Sequence, residues 1–132
     1  MAKQIKSYRD LVAWQKAFEL GLAVFNATKL FPSEERFGLT SQLRRGAVSI
    51  ASNIAEGYGR ASRTDYLRFL KVARGSLYEL ETQLLFAREF GYLKSERLRM
   101  IQSTADECSR VLGGLINRLS DRSPRSGSTP SA

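Results

Sequence analysis

Four antiparallel helices in an up-down-up-down bundle, an all-α fold, are what this 132-residue sequence predicts. Three features predict it. Apolar residues recur at alternating steps of three and four through four separate stretches. Short connections carrying Pro32, Gly57, Gly59 or Gly91 divide those stretches. No segment shows the two-residue alternation of a strand. The length suits one domain with its own core, expected over residues 1–120, followed by a tail over 121–132.

The first helix is expected from about Tyr8 to Leu30, opened by Ser7 with Asp10 three residues on, a capping-box pattern. It carries two apolar stripes. Leu11, Trp14, Phe18, Gly21, Phe25 and Thr28 keep heptad spacing, while Ala13, Ala17, Leu20, Val24 and Ala27 lie about 100° around the same cylinder. A four-helix bundle uses one stripe per helix, so the second, Ala13 to Ala27, is expected to meet another subunit. Pro32 ends the helix, and Phe31 and Phe37 are expected to tuck against the end of the bundle.

The second helix, from Gly38 to Gly57, has three faces. Leu39, Leu43, Ala47, Ile50, Ile54 and Gly57 make the core side; Gln42, Arg45, Ser49, Asn53 and Glu56 make a polar line. Val48, Ala51 and Ala55 form a small apolar strip between them, again expected at an oligomer interface. Seven of the twelve residues from Gly46 to Gly57 are Gly, Ala or Ser, which lets neighbouring backbones come close. Arg45 and Glu56 are expected to pair as a structural couple, since an unpaired buried carboxylate is costly. Gly57-Tyr58-Gly59 with Arg60 and Arg63 reads chiefly as a helix-ending turn, with a phosphate cradle as the other reading.

Ser62 with Asp65 caps the third helix, in which Tyr66, Leu70, Ala73, Leu77, Leu80, Leu84 and Ala87 step by four and three. Gly91 closes it. Phe69, Val72, Ser76 and Phe86 form a flank, and Arg68, Lys71 and Arg74 a slanted basic stripe. The fourth helix, about Ser95 to Leu119, carries Leu98, Ile101, Ala105, Cys108, Leu112, Leu115 and Leu119. From Ser120 the composition turns to Ser, Arg, Pro and Gly, the make-up of a disordered tail.

Charge is the strongest functional signal. Net charge is +8, and the stretch from Arg36 to Arg74 holds eight basic residues against Glu56 and Asp65, a local balance of +6. Arginine outnumbers lysine fifteen to six, and a planar guanidinium suits phosphate and base stacking. A nucleic-acid partner follows, with Arg44, Arg45, Arg60, Arg63, Arg68, Lys71 and Arg74 as candidate phosphate contacts. The absence of histidine removes the commonest general base and metal ligand, so no enzyme activity, metal or cofactor is expected. Carboxylates on the third helix fall on scattered faces. Cys108 lies on an apolar face and reads as a core residue. No run of about 20 apolar residues marks a membrane span, and MAKQIKSYRD lacks the apolar centre of a signal peptide, so a soluble cytoplasmic protein is expected.

The phrases DLVAWQKAFEL, LFPSEERFGLTSQLRRGAVSIASNIAEGYGR and YLRFLKVARGSLYELETQLLFAREFGYL cover Asp10 to Leu93. They resemble the small bacterial proteins encoded by intervening sequences inside 23S ribosomal RNA genes. The resemblance implies a left-handed four-helix bundle assembling into a ring-shaped homopentamer, and supplies no catalytic residues. The chain is also similar to the accessory variability protein of diversity-generating retroelements, a basic pentameric barrel that binds nucleic acid beside a reverse transcriptase. By that likeness RNA or DNA, further copies of the chain, and a reverse transcriptase are the expected partners. Ala51 stands where the family often has proline, and Gly46 where alanine is common.

Overall fold

The computed structural model describes residues 4–121, and their fold rests on four helices: α1 Val12–Thr28, α2 Leu39–Tyr58, α3 Arg63–Glu89 and α4 Ser95–Asp121. No strand occurs among the described residues. Each helix packs on its neighbours in sequence, and α4 closes the bundle on α1. Along the α2–α3 contact, Gln42 meets Gln83, Ser49 meets Ser76, and Gly57 meets Phe69. One number falls as the other rises, so these two helices run antiparallel. The expected tail lies outside the described residues except for Asp121, which ends α4.

Caps set the ends much as the spacing of polar residues implies. Ser62 Oγ accepts from Asp65 N–H at 3.0 Å and starts α3. Gly91 takes φ +84° past its end, and the Tyr92 N–H returns to the Ala87 carbonyl at 2.9 Å. The Ser7–Asp10 capping box is formed, but on a single 3-10 turn, Tyr8–Asp10; Leu11 is extended, and α1 begins at Val12 rather than Tyr8. Leu11 packs on the core from that position.

The core is built from Leu43, Ala47, Ile50 and Ile54 of α2 and from Leu70, Ala73, Leu77, Leu80, Leu84 and Ala87 of α3. Leu98, Ile101, Ala105, Cys108, Leu112 and Ile116 of α4 complete that side. Ile116 takes the place expected for Leu115, because a straight helix drifts from strict heptad spacing by its last turns. On α1 the two stripes are exchanged relative to expectation. Ala13, Ala17, Leu20, Val24 and Ala27 are buried inside the bundle and are not available to another subunit. Both stripes have the same spacing, so side-chain volume decides. Three alanines let α1 sit close against α2 and α4, while Phe18 and Phe25 face outward.

Phe31 is buried at the end of the bundle, its ring 5.5 Å from that of Tyr92. Phe37, expected beside it, is 86% exposed under the Arg36 guanidinium. Glu35 ties this end instead. Its carboxylate accepts from the Leu39 N–H at 2.9 Å, capping α2, and from the Tyr92 hydroxyl at 2.8 Å, reaching the α3–α4 turn. Those bonds, the backbone one foremost, hold the Glu35 carboxyl below its ordinary pKa.

Candidate nucleic-acid interface and docking groove

Helix α2 offers one flank to α1 and the other to α3, and both carry surface chemistry. On the α1 side an apolar cleft of about 340 Å³ runs between the two helices. Trp14, Phe18, Leu22 and Phe25 form one wall; Val48, Ala51 and Ala55 form the other. Trp14 and Phe18 stack at 5.0 Å, and Tyr8 meets Trp14 edge-on at 5.3 Å, so the first wall is a braced aromatic row. Phe18 is 49% exposed, Leu22 55% and Val48 53%. The small strip Val48, Ala51 and Ala55 is therefore at the surface, and its neighbour across the cleft is the bulky stripe of α1, not the alanine stripe. Wrong stripe, right surplus: the spacing showed more apolar surface than one bundle needs but not which part would be outside.

On the α3 side the seam is polar, with a shallow cleft of about 390 Å³ between Gln42, Arg45, Ser49 and Gln83, and it tightens toward Gly57. Ser49 and Ser76 share a hydrogen bond of 3.1 Å, and Asn53 Nδ2 donates to the Ser49 carbonyl and hydroxyl at 2.8 and 3.0 Å. At its end Gly57 permits the closest approach. A Cβ there would stand 2.8 Å from Phe69 Cβ and 3.2 Å from the Tyr66 carbonyl.

The seven candidate basic residues do not form one patch. Arg44 is structural: its Nε donates to Thr28 Oγ1 at 2.8 Å and its guanidinium lies 4.8 Å from the Phe25 ring centroid, fastening α2 to the last turn of α1. Arg60, Arg63 and Arg68 gather where α2 passes into α3, with Lys71 and Arg74 further along α3. Arg45 stands about 18 Å along α2 from Gly57, at 1.5 Å per residue. Arg45, Lys71 and Arg74 have no ion pair or hydrogen bond among the described residues.

The expected Arg45–Glu56 pair is absent. Eleven residues separate them, about 16 Å of helix, too far for direct contact. Glu56 pairs instead with Arg60, four residues on, at 2.7 Å, and both are exposed. Arg68 pairs with Asp65 at 3.2 Å. The guanidinium carbons of Arg60 and Arg68 lie 4.7 and 4.8 Å from the centroid of one ring, Phe69. Sequence reasoning placed Phe69 on a flank; that it joins two arginines needed the fold.

Acid–base and thiol chemistry finds little footing. Burial, with the Glu81 carboxylate adding to it, pushes the Cys108 thiol up to about 12, so it stays protonated and unreactive. Burial also raises the Glu81 carboxyl, helped by Asp106. Among the described residues no group of three or more His, Cys, Asp or Glu is placed to hold a metal ion, and no helix is long and apolar enough to cross a membrane.

Residues 9–114 match the model of a family described as 23S rRNA-intervening sequence protein. A crystal structure at 1.70 Å of a protein of unknown function from Bacteroides thetaiotaomicron VPI-5482, assigned to the S23 ribosomal protein family, has the same fold with a TM-score of 0.74. The two are 25% identical over 80% of this chain and 96% of that one. No curated protein matches the chain.

Proposed function

The chain belongs to the 23S rRNA-intervening sequence protein family, and from that premise we propose that it is a self-assembling, non-catalytic protein that binds RNA or DNA through phosphate contacts. The carrying observation is that, on a segment whose balance is +6, the candidates Arg45, Lys71 and Arg74 have no side-chain partner among the described residues. A surface of that kind attracts any polyanion and releases its counterions, with little regard for base sequence. Arg63 opens α3, eight residues or about 12 Å of helix before Lys71. Arg44 is withdrawn from the contact set because α1 holds its guanidinium.

Self-assembly rests on the α1–α2 cleft, where half-exposed Phe18, Leu22 and Val48 are the kind of surface that another chain covers. A ring of five, as in the family resemblance, would bring several copies of the +6 segment together. The same cleft favours a second reading, an accessory subunit docking on an element-encoded enzyme such as a reverse transcriptase. Light scattering separates them: a monodisperse oligomer covers the cleft with the chain's own copies, whereas a monomer leaves it for a foreign protein.

The test of nucleic-acid binding is a salt titration against RNA, single-stranded DNA and duplex DNA. Six or more phosphate contacts, summed over the assembly, lose about 10³-fold or more in affinity between 50 and 200 mM salt. Lys71→Glu with Arg74→Glu should weaken every ligand alike and flatten the salt slope. Binding that ignores both salt and this double reversal would move the contact surface elsewhere.

A further inference from the structure

Resting on the nucleic-acid reading above, we infer that Arg60, Phe69 and Arg68 form a stacking platform for the unpaired bases of a single strand, and that they do not grip phosphate. A guanidinium has two ways to hold nucleic acid: its N–H edge forks onto phosphate, and its flat face stacks on a base. Here one nitrogen of each edge is taken, Nη2 of Arg60 by Glu56 at 2.7 Å and Nη2 of Arg68 by Asp65 at 3.2 Å, and the carboxylate beside each edge repels a phosphate. One face of each guanidinium lies against the Phe69 ring, yet the Arg60 and Arg68 side chains remain 41% and 60% exposed, which leaves the outer faces for a base.

Gly57 carries no side chain where Phe69 Cβ passes, so α3 presses on the α2 backbone and the root of the ring is set at this junction. Charge points the same way. Two cations crowd one ring, and two carboxylates offset them, so the cluster carries no net charge and adds little to long-range attraction. Its contribution is therefore contact, not counterion release, and is nearly independent of salt. Lys71 and Arg74, without partners further along α3, supply the phosphate contacts beside it. A duplex hides its base faces within the stack and gains nothing from such a surface; an unpaired strand of RNA or DNA does.

The experiment compares Arg60→Lys with Arg68→Lys, which keeps both charges but removes both planes, against the wild-type chain. Probes are oligo(rA), oligo(dA) and a DNA duplex of equal length, each titrated with salt, with 2-aminopurine in the single strands to report stacking. The expected result is a loss of about tenfold or more for both single strands, within the range of one stacked base. The duplex affinity and every salt slope should stay unchanged, and the 2-aminopurine quenching should be lost. Phe69→Leu, which keeps an apolar side chain against Gly57, should act likewise. Equal losses for single strands and duplex, or none, overturn the platform and leave the phosphate reading standing. A wild-type chain that binds none of the three overturns both.

Discussion

Helix α2 meets α1 and α3 with similarly small residues, and the two contacts are put to opposite use. Toward α3, Gly57, Ser49 and Ser76 bring the backbones together until a single added Cβ would collide. Toward α1, a Cβ on Gly21 would reach Ala47 only at 4.0 Å, and the space beyond opens into the aromatic cleft. Small residues permit close packing without enforcing it. What holds it on the α3 side is the contact at Gly57 with two hydrogen bonds across the seam, Ser49–Ser76 and Gln42–Gln83; on the α1 side bulky Trp14 and Phe18 prop the surface open. The tight end of the α3 seam places Arg60 and Arg68 at Phe69, while the α1 side leaves apolar side chains at the surface.

The comparison can be broken most visibly at the open side. Phe18→Glu with Leu22→Glu should convert an assembled protein to monomers in light scattering, while helix content and thermal stability change little, since both side chains face solvent in the single chain. An unchanged molar mass would show that the cleft is not where copies meet.

Glycine substitutions sharpen the contrast next. Gly57→Ala should cost about 1–3 kcal/mol in denaturant unfolding, because the new methyl meets Phe69 Cβ and the Tyr66 carbonyl and α3 must shift. Gly21→Ala, by contrast, meets only ordinary contact distances and should gain up to about 1 kcal/mol from helix propensity. Equal effects at the two sites would mean the seams are alike after all.

The smallest effect concerns the clasp that ties the α1–α2 connection to the α3–α4 turn. The Glu35 pKa is lowered in the folded chain, so its contribution is fully present above the ordinary carboxylate value of about 4.3 and fades as pH falls through the lowered folded value. Thermal melts of the wild-type chain and Glu35→Gln should therefore differ at neutral pH and converge in acid. A gap that widens in acid would contradict the clasp.

Much of this was legible in residue order. Every α3 position from Leu70 to Ala87 in the four-and-three pattern is buried, and Ser62, Asp65 and Gly91 mark the helix ends as their chemistry requires. Local rules govern local features, and a capping hydroxyl reaches only its own first turn. The candidate site was less legible. Arg45 and Glu56 share a face of α2, but facing says nothing of the axial gap between them. Phe37 and Phe31 looked alike as connection aromatics, and only the crossing of four chain segments placed Glu35 and Tyr92 at the end of the bundle.

Sequence by itself determined four helices, the capped ends of α3, the apolar surplus on α1 and the concentration of positive charge between Arg36 and Arg74. These depend on periodicity, capping and composition, which act over a few residues or over none. Tertiary structure alone decided which stripe of α1 turned inward and which guanidiniums kept a free edge. The first is settled by how closely neighbouring helices approach, a distance set jointly by side chains from different helices, as where Gly57 admits Phe69. The second is settled so only for Arg44, held by Thr28 of α1, since Arg60 and Arg68 pair with carboxylates four and three residues away.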